Sequence, residues 1–208
     1  MTSILEVEQL DTLSSNASST LTIGGTNTTT INLGASGKSI VIPSGATITN
    51  NGTQSGFGGN NAPYWCARET GLQTINHVTE TKATLQTEIL DSNGAYDTSN
   101  SRFTVPSGQA GDYFVWFQID LYDADSDITN LTGIIKKNGS TIISKIYTDF
   151  SNGSVPSHAH MYVSTMLSLS VSDYIEYYMY MTTTNGSTAQ SYGGEFGTQG
   201  GGYKLIGA

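Results

Sequence analysis

The chain has 208 residues, with 17 Asp and Glu against 8 Lys and Arg and a formal net charge of −9. Its few cations are scattered, which excludes a surface built to track a phosphate backbone, so no nucleic-acid partner is expected. One cysteine, Cys66, excludes an intrachain disulfide, and a β-rich chain without such staples relies on packing or on oligomerisation.

The N-terminal MTSILEVEQLD has no basic segment and no long apolar run, so neither secretion nor membrane insertion is expected. Only 12% of residues are charged, while Gly, Ser, Thr and Asn are abundant, a bias shared with extracellular and particle-surface β proteins. Ile4, Val7, Leu10 and Leu13 recur every three positions and permit a short amphipathic helix. Alternation of Leu5 and Val7 with Glu6 and Glu8 permits a strand instead. Residues 1–20 are read as an anchoring segment in either case.

Residues 21–55 are rich in Thr, Asn and Gly and fall into short apolar pairs separated by turn residues: Leu21/Ile23, Ile31/Leu33 and Ile40/Ile42, followed by Ile48. Each pair has the period-two spacing that places both side chains on one face of a strand. Ordering about 30 residues costs roughly 1–2 kcal/mol each, whereas seven such side chains return about 1.5–3 kcal/mol apiece when fully buried. A lone leader therefore should not fold. Three copies around an axis can share these side chains, so an interwoven β stem in a homotrimer is expected, with a disordered leader as the alternative. GFGGNNAP at 56–63 reads as a linker, and residues 64–208 form the body.

In the body, strands are predicted at 64–68, 82–90, 102–105, 112–122, 131–137, 141–147, 161–169, 174–181 and 202–206, with Gly, Asn, Asp or Pro at nearly every junction. Asn138-Gly139 suits a type I′ hairpin turn. No long helical period is present, so the expected class is all-β, a two-sheet sandwich. In the strand at 112–122, Tyr113, Val115, Phe117, Ile119 and Leu121 share one face, and Phe114 and Trp116 open the other. In the strand at 174–181, Tyr174, Tyr178 and Tyr180 share a face with Glu176, an aromatic ladder rare on a solvated surface. Phe114, Trp116, Tyr174, Tyr178 and Tyr180 are accordingly expected at a subunit interface.

Tyr96-Asp97, Arg102-Phe103-Thr104-Val105-Pro106, Ala110-Gly111-Asp112-Tyr113-Phe114, Lys137-Asn138-Gly139, Val171-Ser172-Asp173-Tyr174-Ile175 and the closing Gly202-Tyr203-Lys204-Leu205-Ile206 occur in this order. In them the body resembles the globular head shared by the complement first component and the tumour necrosis factor superfamily. That resemblance implies a ten-stranded jelly roll, trimeric in known members. It departs from the pattern in two places: Ser172-Asp173 stands where Gly-Asp is usual, and no collagen Gly-X-Y stem is present. With ILEVEQL, GTNTTTINLG and GGYKLIGA, the combination of leader and head resembles tail-fibre or appendage proteins of tailed bacteriophages. This implies a virion protein assembled in the host cytoplasm, docked to other virion proteins through its N-terminus. Its head would bind a host-surface glycan or protein. A capsid decoration or vertex fibre with a structural role is the alternative. A glycan-degrading tail spike is a further one, and it would need two placed carboxylates, for which Glu88, Asp91 and Asp97 are the only recruits.

Candidate binding chemistry lies in loops. Asp123, Asp125 and Asp127 alternate and offer oxygen donors for calcium; Ile128 and Ile134 occupy the Gly and Glu positions of a helix-loop-helix calcium loop, so that motif fails and a solvated acidic loop is the competing reading. His158 and His160 point the same way if they lie on a strand, and three copies about an axis would offer six imidazoles to a transition metal; exposed loop histidines are the alternative. The loops at 123–130, 149–158 and 183–192 nominate Asp125, Asp127, Asn130, Asn152, Asn185 and Tyr192 for receptor binding. Cys66 reads as a small buried hydrophobe. No catalytic residue and no obligatory cofactor are expected.

Overall fold

The structure, a computed structural model, describes residues 39–49, 61–151 and 157–205. The chain divides into two compact units, Met1–Gln54 and Ser55–Ala208. In the first, the described stretch forms a turn at Ser44 and Gly45, closed by the Ala46 N–H on the Pro43 carbonyl at 3.1 Å. Gly45 has φ +83°, the left-handed geometry a type II turn needs at that position. No strand forms among these residues, and Ile40, Val41, Ile42 and Ile48 are all exposed, Val41 by 78%. The segments 1–38 and 50–60, with most of the expected stem, lie outside the described residues.

The second unit is a sandwich of two antiparallel sheets containing thirteen strands among the described residues. In chain order they are β1 (Tyr64–Arg68), β2 (Gln73–Ile75), β3 (Thr81–Lys82), β4 (Thr87–Asp91), β5 (Tyr96–Asp97), β6 (Arg102–Thr104) and β7 (Gly111–Tyr122). There follow β8 (Ile128–Lys137), β9 (Thr141–Asp149), β10 (His158–Leu169), β11 (Tyr174–Thr183), β12 (Ala189–Ser191) and β13 (Gln199–Lys204). One sheet runs β2-β12-β7-β13-β1-β4, with β10 on the other edge of β7. The other runs β5-β6-β11-β8-β9, with β3 also on β11.

The alternating pattern of β7 is obeyed along its whole length: Tyr113, Val115, Phe117, Ile119 and Leu121 are fully buried, as are Ile175, Tyr177, Met179 and Met181 on β11. These rows meet between the sheets, where Phe117 stacks on Tyr177 at 5.1 Å and Trp65 on Phe103 at 3.7 Å. Such pairs contribute about 0.5–1.5 kcal/mol beyond burial. The Tyr177 hydroxyl donates to the Gly201 carbonyl at 2.9 Å, so this fully buried ring has its polar atom paired. Asn138 (φ +54°) and Gly139 (φ +73°) make the expected I′ turn between β8 and β9.

The nine strands predicted in the body become thirteen for local reasons. The segment predicted as one strand at 82–90 changes sheets: β3 pairs with β11, and β4 pairs with β1. Between them the Gln73 side chain stands in for a ladder, donating to the Lys82 carbonyl at 2.7 Å and accepting from the Thr84 N–H at 2.9 Å. Ala83 and Leu85 are thereby carried into the core. Strands β2, β5 and β12, of three, two and three residues, lack enough alternation to be read.

Gly200, Gly201 and Gly202 lie in the middle of β13 because neighbours fill the space a side chain would need. A Cβ on Gly200 would stand 2.7 Å from the Tyr177 ring, and one on Gly202 2.5 Å from that of Trp65. Gly200→Ala is expected to cost about 1–3 kcal/mol, read as a lower urea midpoint with unchanged m. Ser172 holds φ +71°, where the resembled family has glycine, and left-handed geometry costs a residue with a Cβ roughly 1–2 kcal/mol. Ser172→Gly should therefore leave stability unchanged or raise it by up to about 1 kcal/mol, measured in the same urea series.

Candidate functional site: two sheet faces and a loop cluster

The outward row of β7 carries Phe114 and Trp116 on the open face of the seven-stranded sheet. The register places Ser164 and Met166 of β10 beside them on one side and Gly201 and Tyr203 of β13 on the other. Phe114 packs on Tyr203 at 5.5 Å, and Trp116 lies nearly parallel to Tyr162 at 6.1 Å. Tyr64, Tyr162, Leu90 and Met166 are exposed. A shallow hollow of about 400 Å³ is bounded by Tyr64, Cys66, Leu90, Trp116 and Tyr203. Cys66 is partly covered there, and burial pushes its thiol pKa up, which suits an apolar role over a nucleophilic one. A contiguous aromatic and aliphatic surface of this kind marks an association face.

Tyr174, Tyr178 and Tyr180 stand on the outward face of the other sheet, so the five expected interface residues are divided between opposite sides of the sandwich. The chain's own cations cover two of these rings: Arg102 lies 4.7 Å above Tyr174 and Lys136 4.3 Å above Tyr178. The buried Glu176 and the half-buried Lys82 and Tyr178 complete a network, with Lys82 to Glu176 at 2.6 Å and the Tyr178 hydroxyl donating to Glu176 at 3.0 Å. Burial, reinforced by Glu176, pushes the Tyr178 phenol up to about 12. Tyr180 lies further along the row and borders a polar hollow of about 470 Å³ shared with Asn130, Thr132, Lys145, Tyr147 and Asp149.

The acidic loop is self-contained. Asp123 is buried and accepts from the N–H groups of Asp125 at 3.2 Å and Asp127 at 2.9 Å. Asp127 accepts from the Asn185 N–H at 3.0 Å and the Ser187 hydroxyl at 3.0 Å. Burial raises the Asp123 carboxyl pKa. Burial also acts to raise Asp127, but hydrogen bonds involving Asp123, Asn185 and Ser187 outweigh it and hold Asp127 low. Oxygens offered to calcium by the sequence thus bind amides and lock the 123–130 and 183–192 loops together. Among the described residues no three His, Cys, Asp or Glu side chains are grouped to hold a metal.

His158 and His160 do lie on one face of β10, their rings parallel within 10° and 6.4 Å apart. His160 Nδ1 is 3.2 Å from Asp120 Oδ1, and His158 packs on Tyr122 at 4.8 Å with Tyr192 at 6.5 Å. They share their face with Trp116, a juxtaposition invisible without the register of β10 on β7. Asp125 is exposed. Asn152 lies outside the described residues. Asp91 and Asp97, the recruits for a hydrolase, serve turns instead: Asp91 accepts from the Asn93 and Tyr96 N–H groups, and Asp97 from those of Ser99 and Asn100. Tyr64, Tyr147, Tyr162 and Met166 were not singled out from sequence; outward alternation of Tyr162, Ser164 and Met166 along β10 is the signal that could have found two of them.

A two-sheet antiparallel sandwich with these connections is a jelly roll. Among solved structures, murine APRIL is similar at a TM-score of 0.51 and 13% identity, covering 68% of this chain and 98% of that one. The Eiger tumour necrosis factor of S. frugiperda is similar at 0.52 and 14%, covering 70% and 95%. The globular domain of zebrafish complement 1qA follows at 0.48 and 11%, covering 69% and 97%. No protein-family model and no curated protein sequence matches the chain. At these identities the likeness establishes the fold.

Glu69, 1% exposed, ends the first strand's path next to the Tyr192 loop. Its carboxylate accepts from the Ser191 hydroxyl at 2.7 and 2.9 Å. Burial drives its pKa to about 7, against the Ser191 hydrogen bond. A raised carboxyl pKa means the folded state holds the proton longer than the unfolded chain, so stability is full below about 4.5 and declines as pH rises through 7. Thermal unfolding from pH 4.5 to 8 should show this decline, on the order of 3 kcal/mol, and Glu69→Gln should flatten it.

Proposed function

We propose that the protein is a homotrimeric fibre or appendage protein of a tailed bacteriophage virion, whose head attaches the particle to a host-surface glycan or protein by binding, without catalysis. The observation that carries the trimer is the open face of the seven-stranded sheet, where Phe114, Trp116, Tyr162, Tyr203 and Met166 form one apolar surface. Support comes also from the tumour necrosis factor type of head and from exposed Ile40, Val41, Ile42 and Ile48 in the leader, which three chains around an axis would bury. In a cyclic trimer each interface joins two different patches, so Phe114 and Trp116 on one protomer need not meet their own copies. The tyrosine row at 174–180, partly capped by its own cations, remains for ligand contact. Docking to other virion proteins through residues 1–20 completes this reading. A decoration or vertex fibre is the second form of it, favoured by the self-locked loops, which present few free polar groups.

Purified full-length protein should sediment at three chain masses. Trp116→Glu, which places three carboxylates in an apolar interface, should dissociate it while the far-ultraviolet spectrum stays β-type. A folded monomer of the parent chain would remove the basis for the stem and the shared face. Labelled trimer should stain susceptible cells and compete with infection; absent staining, with particles weakened by loss of the protein, selects the decoration role. Reducing sugar released from host envelope would select the spike.

A further inference from the structure

We propose that the hollow between Tyr147 and Tyr180, on the outward face of the six-stranded sheet, is a carbohydrate site that seats one uncharged pyranose unit. This deepens the attachment reading above and rests on it only for the biological source of the sugar. The register builds the site from three strands. Tyr180 of β11 faces Thr132 of β8, which faces Tyr147 of β9; in the next row Thr182, Asn130 and Asp149 align the same way. A short residue therefore sits between two tyrosines. Strands about 4.8 Å apart place the two tyrosine backbones about 10 Å apart, and a ring touched on both faces at about 3.5–4.0 Å needs about 7–8 Å. The hollow of about 470 Å³ holds a monosaccharide with solvent on its open side.

The polar groups around this slot are prepared for hydroxyls. The Thr132 hydroxyl donates to the Asn130 side-chain oxygen at 2.9 Å, which fixes that amide and turns its NH₂ into a donor with no acceptor among the described residues. Thr129 and Thr182 share one hydroxyl hydrogen bond at 2.8 Å, leaving one O–H and several lone pairs for a ligand. One Asp149 oxygen accepts from the Ser151 N–H at 2.8 Å. The Ser151 hydrogen bonds hold the carboxyl below its ordinary range, so it is an acceptor at neutral pH. Tyr147 is 66% exposed, an aromatic ring displayed to water with no aromatic or cationic partner among the described residues. Lys145 and Asp149 flank Tyr147 two residues away on the same face of β9, so the charges beside the slot cancel. A chain with net charge −9 repels polyanions, and an uncharged sugar is the ligand that fits.

The test uses the full-length protein on an array of neutral and acidic oligosaccharides. Calorimetric titration follows with the methyl glycosides of glucose, galactose, mannose and N-acetylglucosamine. Binding of at least one neutral sugar is expected, weakened at least tenfold in both Tyr147→Ala and Asn130→Ala, with thermal midpoint and sedimentation as in the parent. Because Tyr147 is exposed on an edge strand, its loss should not unfold the head, and Tyr147→Phe should keep most of the affinity. No neutral sugar bound, preference for acidic sugars, or binding untouched by both alanine variants overturns the site. Cell staining by a protein that binds no sugar would defeat this site and leave attachment standing; sugar binding without cell staining would do the reverse.

Discussion

The structure depends on the close passage of three aromatic rings over the three consecutive glycines of β13. Gly200, Gly201 and Gly202 pair with Phe117, Trp116 and Val115 on one edge and with Ala67, Cys66 and Trp65 on the other. Tyr177 and Trp65 press onto β13 from the core, while Trp116 lies over Gly201 from outside, where a Cβ would come within 3.0 Å of its ring. Because β13 is that thin, the Tyr177 hydroxyl reaches the Gly201 carbonyl, and Trp65 lies flat against Phe103 of the opposite sheet. Glycine in a strand ordinarily weakens it. Here ring burial, about 25 cal/mol per Å² of apolar area, offsets that loss.

The same thinness shapes the outer surface. With only hydrogen atoms on Gly201, the rings of Trp116 and Tyr203 border an open hollow beside Tyr64 and Leu90. On the opposite sheet the Tyr174–Tyr178 half of the row is closed over, with Ile134 buried and Lys136 and Arg102 folded over tyrosine rings, and its hollow, at Tyr180 and Tyr147, is lined mainly by polar residues. One side of the sandwich is therefore apolar and open, and the other is polar and largely satisfied by its own chain.

Much of the head was legible because long strands alternate strictly. Tyr113 to Leu121 and Ile175 to Met181 declare their buried faces residue by residue, and Asn138-Gly139 declares its turn. The chemistry of the loops was not legible in the same way. Asp123 and Asp127 look like cation ligands in a list of residues, yet their oxygens meet amides of Asp125, Asn185 and their own turn. Which donor a carboxylate finds depends on backbone atoms up to 58 positions away, and composition carries no trace of that. Tyr147 was missed for a related reason: its strand is an edge exposed on both faces, with no alternation to reveal a direction.

The sequence by itself determined the class, an all-β sandwich of two sheets, because period-two patterning and turn residues act locally. Counting the leader's apolar side chains against chain entropy is what supports the proposed shared stem. Tertiary structure alone decided which aromatics share a face. Phe114 and Trp116 stand on one sheet and Tyr174, Tyr178 and Tyr180 on the other, and Tyr147 and Tyr180 flank Thr132. Those neighbours are set by the register between strands far apart in the chain, and register is a property of paired backbones that no single strand encodes.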